Sequence, residues 1–191
     1  MFDHWNSQTA DMRSEANSLV IRRAELNDAE QLATLGAATF TESFGHLYPP
    51  EDLQSFLLSA HSVEHWRKTL MNAHTATWVV ELESRRKIGF IGVGACKLPV
   101  QNLEATAGEV QQLYVHGEYH NLRLGSQLMD AGLAWLERQG RTPVYIGVWS
   151  ENYGAQRFYE RYGFSKVGEY GFQVGSTTDR EFILKRQPTN R

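Results

Sequence analysis

Residues that could do chemistry gather in three places between Glu109 and Phe164. The segment HGEYHNLR lies between a strand ending at Val115 and a helix opening at Leu124. A helix start presents unpaired N–H groups and the positive end of the helix dipole, so this turn is a candidate anion site. Its members are His120, Arg123, Leu124, Gly125, Ser126 and Gln127. The segment VWSENYGAQRFYERYGF, Val148 to Phe164, reads as a strand end, a polar turn, a short helix and a glycine stop. Asn152 is a good N-cap, because its side-chain oxygen can take a free backbone N–H. Ala155, Phe158, Tyr159 and Tyr162 follow at i, i+3, i+4 and i+7 and share one helix face. Gln156, Arg157, Glu160 and Arg161 take the other, and Gly163 supplies a left-handed stop. Tyr159 on such a face reads as a core phenol whose hydroxyl finds a hydrogen bond. Glu109 opens a strand, where an isolated carboxylate is more often a solvated charge.

These groups need elements to position them. Leu19 to Ala24 reads as a first strand. Asp28 is placed to cap a helix running to about Phe44, with Ala29, Leu32, Leu35 and Ala38 at helical spacing. Pro49 and Pro50 interrupt, a second helix carries Leu53, Phe56 and Leu57, and Ser62 caps a third holding Trp66 and Leu70. Thr77 to Glu83 and Lys87 to Leu98 then alternate as a hairpin around Ser84–Arg86, with Pro99 as terminator. Gln101 to Gly108 is a polar loop, Glu109 to Val115 a strand, Leu124 to Arg138 a helix and Val144 to Trp149 a strand. Ser165 to Val174 and Asp179 to Lys185 close the chain as two strands. Consecutive strands plus a β-α-β unit predict a mixed sheet with helical layers.

The bulk properties narrow the function classes. A chain of 191 residues with 41% hydrophobic and 21% charged residues fits one globular domain. Residues 1–18 are polar, lack the basic start and apolar run of a signal peptide, and read as an extension before a domain at 19–191. A net charge of −3 argues against nucleic acid as partner, and no apolar run is long enough to span a membrane. Cys96 is the only cysteine, so no internal disulfide forms, which fits a cytoplasmic protein.

The pattern Asn152-x-x-Ala155-x-x-Phe158-Tyr159-x-x-x-Gly163-Phe164, following a Val-rich strand, resembles the fourth-helix motif of the GNAT superfamily of acyl-CoA-dependent N-acetyltransferases. The order of elements over about residues 19 to 186 is similar too. The resemblance implies an α/β (α+β) fold: a central mixed, mostly antiparallel sheet of about seven strands, flanked by helices, with a V-shaped CoA cleft between the fourth and fifth strands. It implies acetyl-CoA as co-substrate, no metal, and a primary amine as acceptor, small molecule or peptide, attacking directly in a ternary complex. Tyr159 matches the tyrosine that protonates the leaving thiolate, and Glu109 the place of a general base acting directly or through water. Leu113, Tyr114 and Val115 match the strand whose backbone meets the pantetheine and carbonyl, and Asn152 and Ala155 lie in the motif that flanks it. The family's phosphate loop reads Gln/Arg-x-x-Gly-x-Gly/Ala. Here it reads His120-Asn121-Leu122-Arg123-Leu124-Gly125, so only Gly125 matches and Arg123 stands at the first glycine.

Thr39 to Phe44 and the following PPEDL look similar to polyamine-type and related small-amine acetyltransferases, which makes Phe40, Glu42 and Phe44 acceptor-side candidates. A cationic acceptor would be drawn to Glu42, Glu51 or Asp52. Cys96 in IGVGACKL lacks the polar setting of a nucleophile and reads as buried. His61-Ser-Val-Glu64-His65 spells an inverted zinc-protease motif, but Ser62 as cap leaves His61 outside the helix. A CoA-binding protein without transfer activity and a zinc hydrolase are the competing classes. The sequence leaves oligomeric state open, a homodimer included.

Overall fold

The structure, a computed structural model, describes residues 19–187. The expected extension at 1–18 lies outside the described residues. Seven strands form one sheet: β1 (Val20–Arg23), β2 (Thr75–Glu81), β3 (Lys87–Ala95), β4 (Gly108–Val115), β5 (Val144–Trp149), β6 (Phe164–Val174) and β7 (Thr177–Arg186). Their order is β1-β2-β3-β4-β5-β7-β6, and every neighbouring pair is antiparallel except β4–β5. Helices α1 (Ala29–Phe44), α2 (Pro50–Ala60) and α3 (Val63–Met71) cover one face, while α4 (Leu124–Arg138) and α5 (Tyr153–Arg161) cover the other. Pro50 occupies the first turn of α2, where its missing N–H costs nothing. β3 ends at Ala95, short of the Leu98 expected from sequence; from Cys96 the chain turns into the loop that carries Pro99.

Two backbone irregularities shape the site. Strands β4 and β5 run side by side but pair only at Gly108–Val144 and Glu109–Tyr145. Beyond those pairs they splay apart and open a gap in the sheet. In addition, β4 carries a bulge: Gly92 faces Gln112 and Val93 faces Val110, leaving Gln111 as the extra residue. An extra residue flips the alternation of everything after it. Without the bulge Glu109 would share a face with Gln111 and Leu113. With it, Val110, Leu113 and Val115 pack toward α4, while Tyr114 joins Phe40 and Tyr48 on the α1–α2 side. Glu109 therefore shares its face with Tyr114.

The core above α4 and α5 is built from Val80, Ile91, Val93, Leu128, Met129 and Tyr159; the opposite face packs Leu32, Trp66, Val79 and Phe90. A buried ion network closes one end of the sheet. Arg22 meets Asp28 at 2.8 Å and Glu81 at 2.5 Å, and Lys87 meets the same two carboxylates at 3.1 and 2.9 Å. Asp28 sits at the N-cap position of α1 but makes no side-chain cap bond there. Its carboxylate instead accepts from Arg22 and from the Glu25 N–H, and Lys87 also meets it at 3.1 Å. No helix among the described residues is long and apolar enough to cross a membrane.

Candidate active site

The gap between β4 and β5 widens into a cavity of about 1040 Å³. Its α4–α5 side is an anion cradle. The first intrahelical bond of α4 runs from the Gln127 N–H to the Arg123 carbonyl at 3.1 Å. The N–H groups of Leu124, Gly125 and Ser126 precede it and donate to nothing among the described residues. Gln127, expected among the amide donors, has its N–H committed and its side chain exposed away from the cavity. In front of Gly125 there is room: an added Cβ would come no nearer than 3.9 Å to Phe158. Arg123 and Arg161 line this side. Arg123 sits at φ 59° and ψ 17°, the left-handed region that favours glycine. A non-glycine residue there costs about 1–2 kcal/mol, so the backbone of this loop keeps the shape of the missing glycine while its side chain adds a cation.

Strand β4 offers its backbone to the gap. The His116 N–H donates to the Ile88 carbonyl at 2.8 Å, on the β3 side. By alternation the peptide groups of Leu113 and Val115 point the other way, into the gap, and those of Tyr114 point toward β3. Tyr114 thus enters the site through its side chain. His120 is a brace: its Nε2–H donates to the Val115 carbonyl at 2.8 Å and ties the loop to the strand end.

Helix α5 forms the other jaw. Asn152 accepts the Ala155 N–H at 3.0 Å, the cap expected from sequence, and Gly163 ends the segment at φ +81°. Gln156 lies on the supposed polar face, yet its side-chain amide donates to the carbonyls of Trp149 and Ser150 at 3.1 and 3.0 Å and ties α5 to the end of β5. Tyr159 is 7% exposed, with its ring between Phe158 and Phe164. Its hydroxyl has no hydrogen-bond partner among the described residues, and the residue lines the cavity. Burial first, and the nearby charge of Glu181 second, push this phenol above its ordinary range, so it is protonated at neutral pH.

The α1–α2 side is aromatic and acidic. Phe40, Phe44, Tyr48, Phe56, Trp149 and Phe172 form its wall, with Phe40 and Phe56 at 4.7 Å between centroids. Three carboxylates face it: Glu109, Asp179 and Glu181. Glu109 is 8% exposed and accepts the Lys97 N–H at 2.6 Å, with further bonds from the Leu98 N–H and Cys96. Asp179 accepts from the Tyr48 hydroxyl, and Glu181 accepts from Tyr170 at 2.5 Å. Burial raises the carboxyl groups of both Glu109 and Glu181 above their usual range. Among the described residues no lysine or arginine lines this side of the cavity, although the charge of Lys97 reaches Glu109. Of the acceptor candidates from sequence, Phe40 and Phe44 line the wall, whereas Glu42 does not reach it. The Glu42 carboxylate turns back to the Gly117 N–H at 3.4 Å. Asp52 is likewise occupied, by the N–H and hydroxyl of Ser176 at 2.9 and 2.7 Å.

Asp179 and Glu181 are the functional candidates that sequence reading missed. A local signal existed: in TTDREFILKR they alternate inward with the core residue Ile183, and a carboxylate on the core register of a strand is unusual. His61 lies outside α3, as the Ser62 cap requires, and its Nδ1 is buried against Gly36 with no hydrogen-bond partner. Burial lowers its pKa to about 4, so it is neutral. Among the described residues no three His, Cys, Asp or Glu side chains are grouped to hold a metal ion. The Cys96 thiol is pushed up to about 11, by burial above all, which keeps it from being a thiolate at neutral pH.

Comparison with known proteins converges on this geometry. The model of a family described as "Acetyltransferase (GNAT) family" matches residues 35–164. An uncharacterised N-acetyltransferase from Mycobacterium bovis is 26% identical over 162 residues, covering 85% of this chain and 99% of the relative. A spermidine N(1)-acetyltransferase from Thermoplasma acidophilum is 23% identical over 174 residues, covering 89% and 98%. Among solved structures, the PaiA N-acetyltransferase of Thermoplasma acidophilum in complex with coenzyme A superposes with a TM-score of 0.72 at 20% identity, covering 90% of this chain and 99% of that one.

Proposed function

The chain belongs to the GNAT family of acetyltransferases, and from that premise we propose that it transfers the acetyl group of acetyl-CoA to the primary amine of a small cationic acceptor, by direct attack in a ternary complex. One observation carries the reading: charge is segregated across the β4–β5 gap. Free amides at Leu124, Gly125 and Ser126, with Arg123 and Arg161, favour the pyrophosphate of CoA on one side. Glu109, Asp179 and Glu181, with an aromatic wall and no lysine or arginine, favour an ammonium group on the other. The peptide groups of Leu113 and the N–H of Val115, whose carbonyl accepts from His120, are directed to hold the pantetheine and the thioester carbonyl. Asn152 and Ala155 flank the same channel, and Tyr159 supplies the proton for the departing thiolate. An alkylammonium has a pKa of about 10 and must lose a proton before attack, so one of the carboxylates on the acceptor side takes it; Glu109 is the candidate named by the sequence. A thiol as poor in thiolate as Cys96 disfavours an acyl-enzyme route.

The test is acetyl-CoA-dependent thiol release with a panel of diamines, polyamines, zwitterionic amino acids and peptides. The expected result is a highest kcat/KM for diamines or polyamines, falling as salt rises. Equal or better turnover of zwitterionic or peptide amines would remove the cationic-acceptor reading. Acetyl-CoA binding without thiol release for any amine would favour a CoA-binding protein instead. Arg123 gives a separate check on the cofactor side. Arg123→Gly is expected to weaken acetyl-CoA binding, most at low salt, while the unfolding midpoint holds or rises as left-handed strain is relieved. Tighter binding by the glycine variant, measured by calorimetry, would mean that the arginine crowds the loop.

A further inference from the structure

We propose that Glu181, rather than Glu109, is the carboxylate that accepts the ammonium proton of the acceptor amine; this rests on the acetyl-transfer reading above. Both are partly or fully buried acids in the same cavity, but their surroundings differ. The carboxylate of Glu109 is tied to the loop after β3 by the Lys97 and Leu98 N–H groups and by Cys96. Those three donors take most of the roughly four lone-pair sites of a carboxylate and make Glu109 a brace between β4 and the loop. Among the described residues Glu181 has a single hydrogen-bond donor, the Tyr170 hydroxyl at 2.5 Å. It stands opposite Trp149 at the mouth of the gap, in the β5–β7 register. Its charge is the one felt by the Tyr159 hydroxyl, and also by Tyr114. Glu181 and Tyr159 line the same cavity.

The fold makes room for this pair. At Gly147 on β5 an added Cβ would fall 2.8 Å from the Tyr170 hydroxyl and 2.9 Å from the Glu181 carboxylate. A side chain at that position would displace both, so the glycine keeps the carboxylate over the edge of the gap. Around Glu181 stand Tyr170 on β6, Asp179 on its own strand, Tyr159 on α5 and Tyr114 on β4; burial and Asp179 raise its carboxyl while Tyr170 lowers it.

The protons balance as follows. The ammonium gives one proton to Glu181. The freed amine forms the N–C bond, the C–S bond breaks, and the thiolate takes the Tyr159 proton. In the same step the second proton of the nitrogen passes to Tyr159, so the net products are amide, thiol and the proton held by Glu181, which passes to solvent.

The experiment compares Glu181→Gln, Glu109→Gln and wild type with acetyl-CoA and two amines: 1,4-diaminobutane, charged at neutral pH, and 2,2,2-trifluoroethylamine, uncharged there. With the diamine, Glu181→Gln is expected to lose about a hundredfold in kcat, more than Glu109→Gln loses, while acetyl-CoA affinity by calorimetry stays near wild type and reports an intact fold. With the uncharged amine the Glu181→Gln defect should shrink at least several-fold, because no ammonium proton has to be removed. Tyr170→Phe removes the one hydrogen bond that lowers the Glu181 carboxyl, so the acid limb of its pH–rate profile should move to higher pH. A larger loss in Glu109→Gln, an equal Glu181→Gln defect with both amines, or an unmoved acid limb in Tyr170→Phe overturns the assignment. Absence of wild-type turnover with every amine would instead count against the transferase reading itself.

Discussion

Tyr159→Phe is expected to lower kcat about 10²- to 10³-fold, within the range for loss of a general acid, and to leave acetyl-CoA affinity largely intact. The substitution removes only the hydroxyl. The ring stays between Phe158 and Phe164, and the hydroxyl makes no hydrogen bond among the described residues, so the fold loses no partner. The unfolding midpoint should therefore hold, which separates a chemical defect from a structural one. A free phenol titrates near 10 and a CoA-like thiol near 8.5. Burial and the charge of Glu181 raise the phenol further. The proton is then reliably in place at neutral pH, but its transfer to a thiolate is more uphill than from a free phenol. Transfer coupled to departure of the amine proton answers that difficulty, because the tyrosine is never left as an anion. Activity should accordingly show no loss from Tyr159 ionisation up to and beyond pH 10. Wild-type turnover by the phenylalanine variant, measured by thiol release, would take Tyr159 out of the mechanism.

Lys87→Met should cost about 3–5 kcal/mol of folding stability, the range for breaking a buried ion network by removing one partner. Lys87 is 8% exposed and contacts both Asp28 and Glu81. Without it, the two buried carboxylates keep only the part-exposed Arg22 and, at 3.3 Å from Glu81, the exposed Arg85. Urea unfolding followed by fluorescence measures the loss, and a cost under about 1 kcal/mol, the scale of an exposed pair, would show the network to be solvated. The pH dependence has a definite sign. The Arg22 hydrogen bond above all holds the Asp28 carboxyl well below its usual range, and the bonds from Lys87 and Arg22 outweigh burial to hold Glu81 below its own. Carboxyls depressed in the folded state contribute stability that is complete above their unfolded values of about 3.9 to 4.3. That contribution is lost as pH falls through the folded values, so acid unfolding is expected to steepen below about pH 4 and to be shallower in Lys87→Met. Glu109 and Glu181 act oppositely. Their carboxyls are raised on folding, so they subtract stability as pH rises above about 4.3, and Glu181→Gln should recover part of it.

The pieces that depend on local chemistry were legible from the chain alone. Helix α4 and strand β5 begin and end where periodicity, Gly140 and the Val-rich run place them, and the caps at Ser62 and Asn152 form as their side chains dictate. The Tyr159 stripe packs against the core for the same reason. Asp28 failed as a cap because Arg22 and Lys87, distant in sequence or on another strand, compete for its carboxylate. Glu42 and Asp52 lie off the cavity wall, each accepting from a backbone N–H of a neighbouring loop.

Contiguous residues, with their own caps and periods, encode the elements, the family motif and the two jaws beside the β4–β5 gap. Which carboxylates line the acidic side of the cavity was set by long-range packing. The bulge at Gln111 turns Glu109 onto the face of Tyr114, and the insertion of β7 between β5 and β6 carries Glu181 opposite Trp149 and against Gly147. Neither event has a local signature, since strand register and sheet order are fixed by which faces can be buried together.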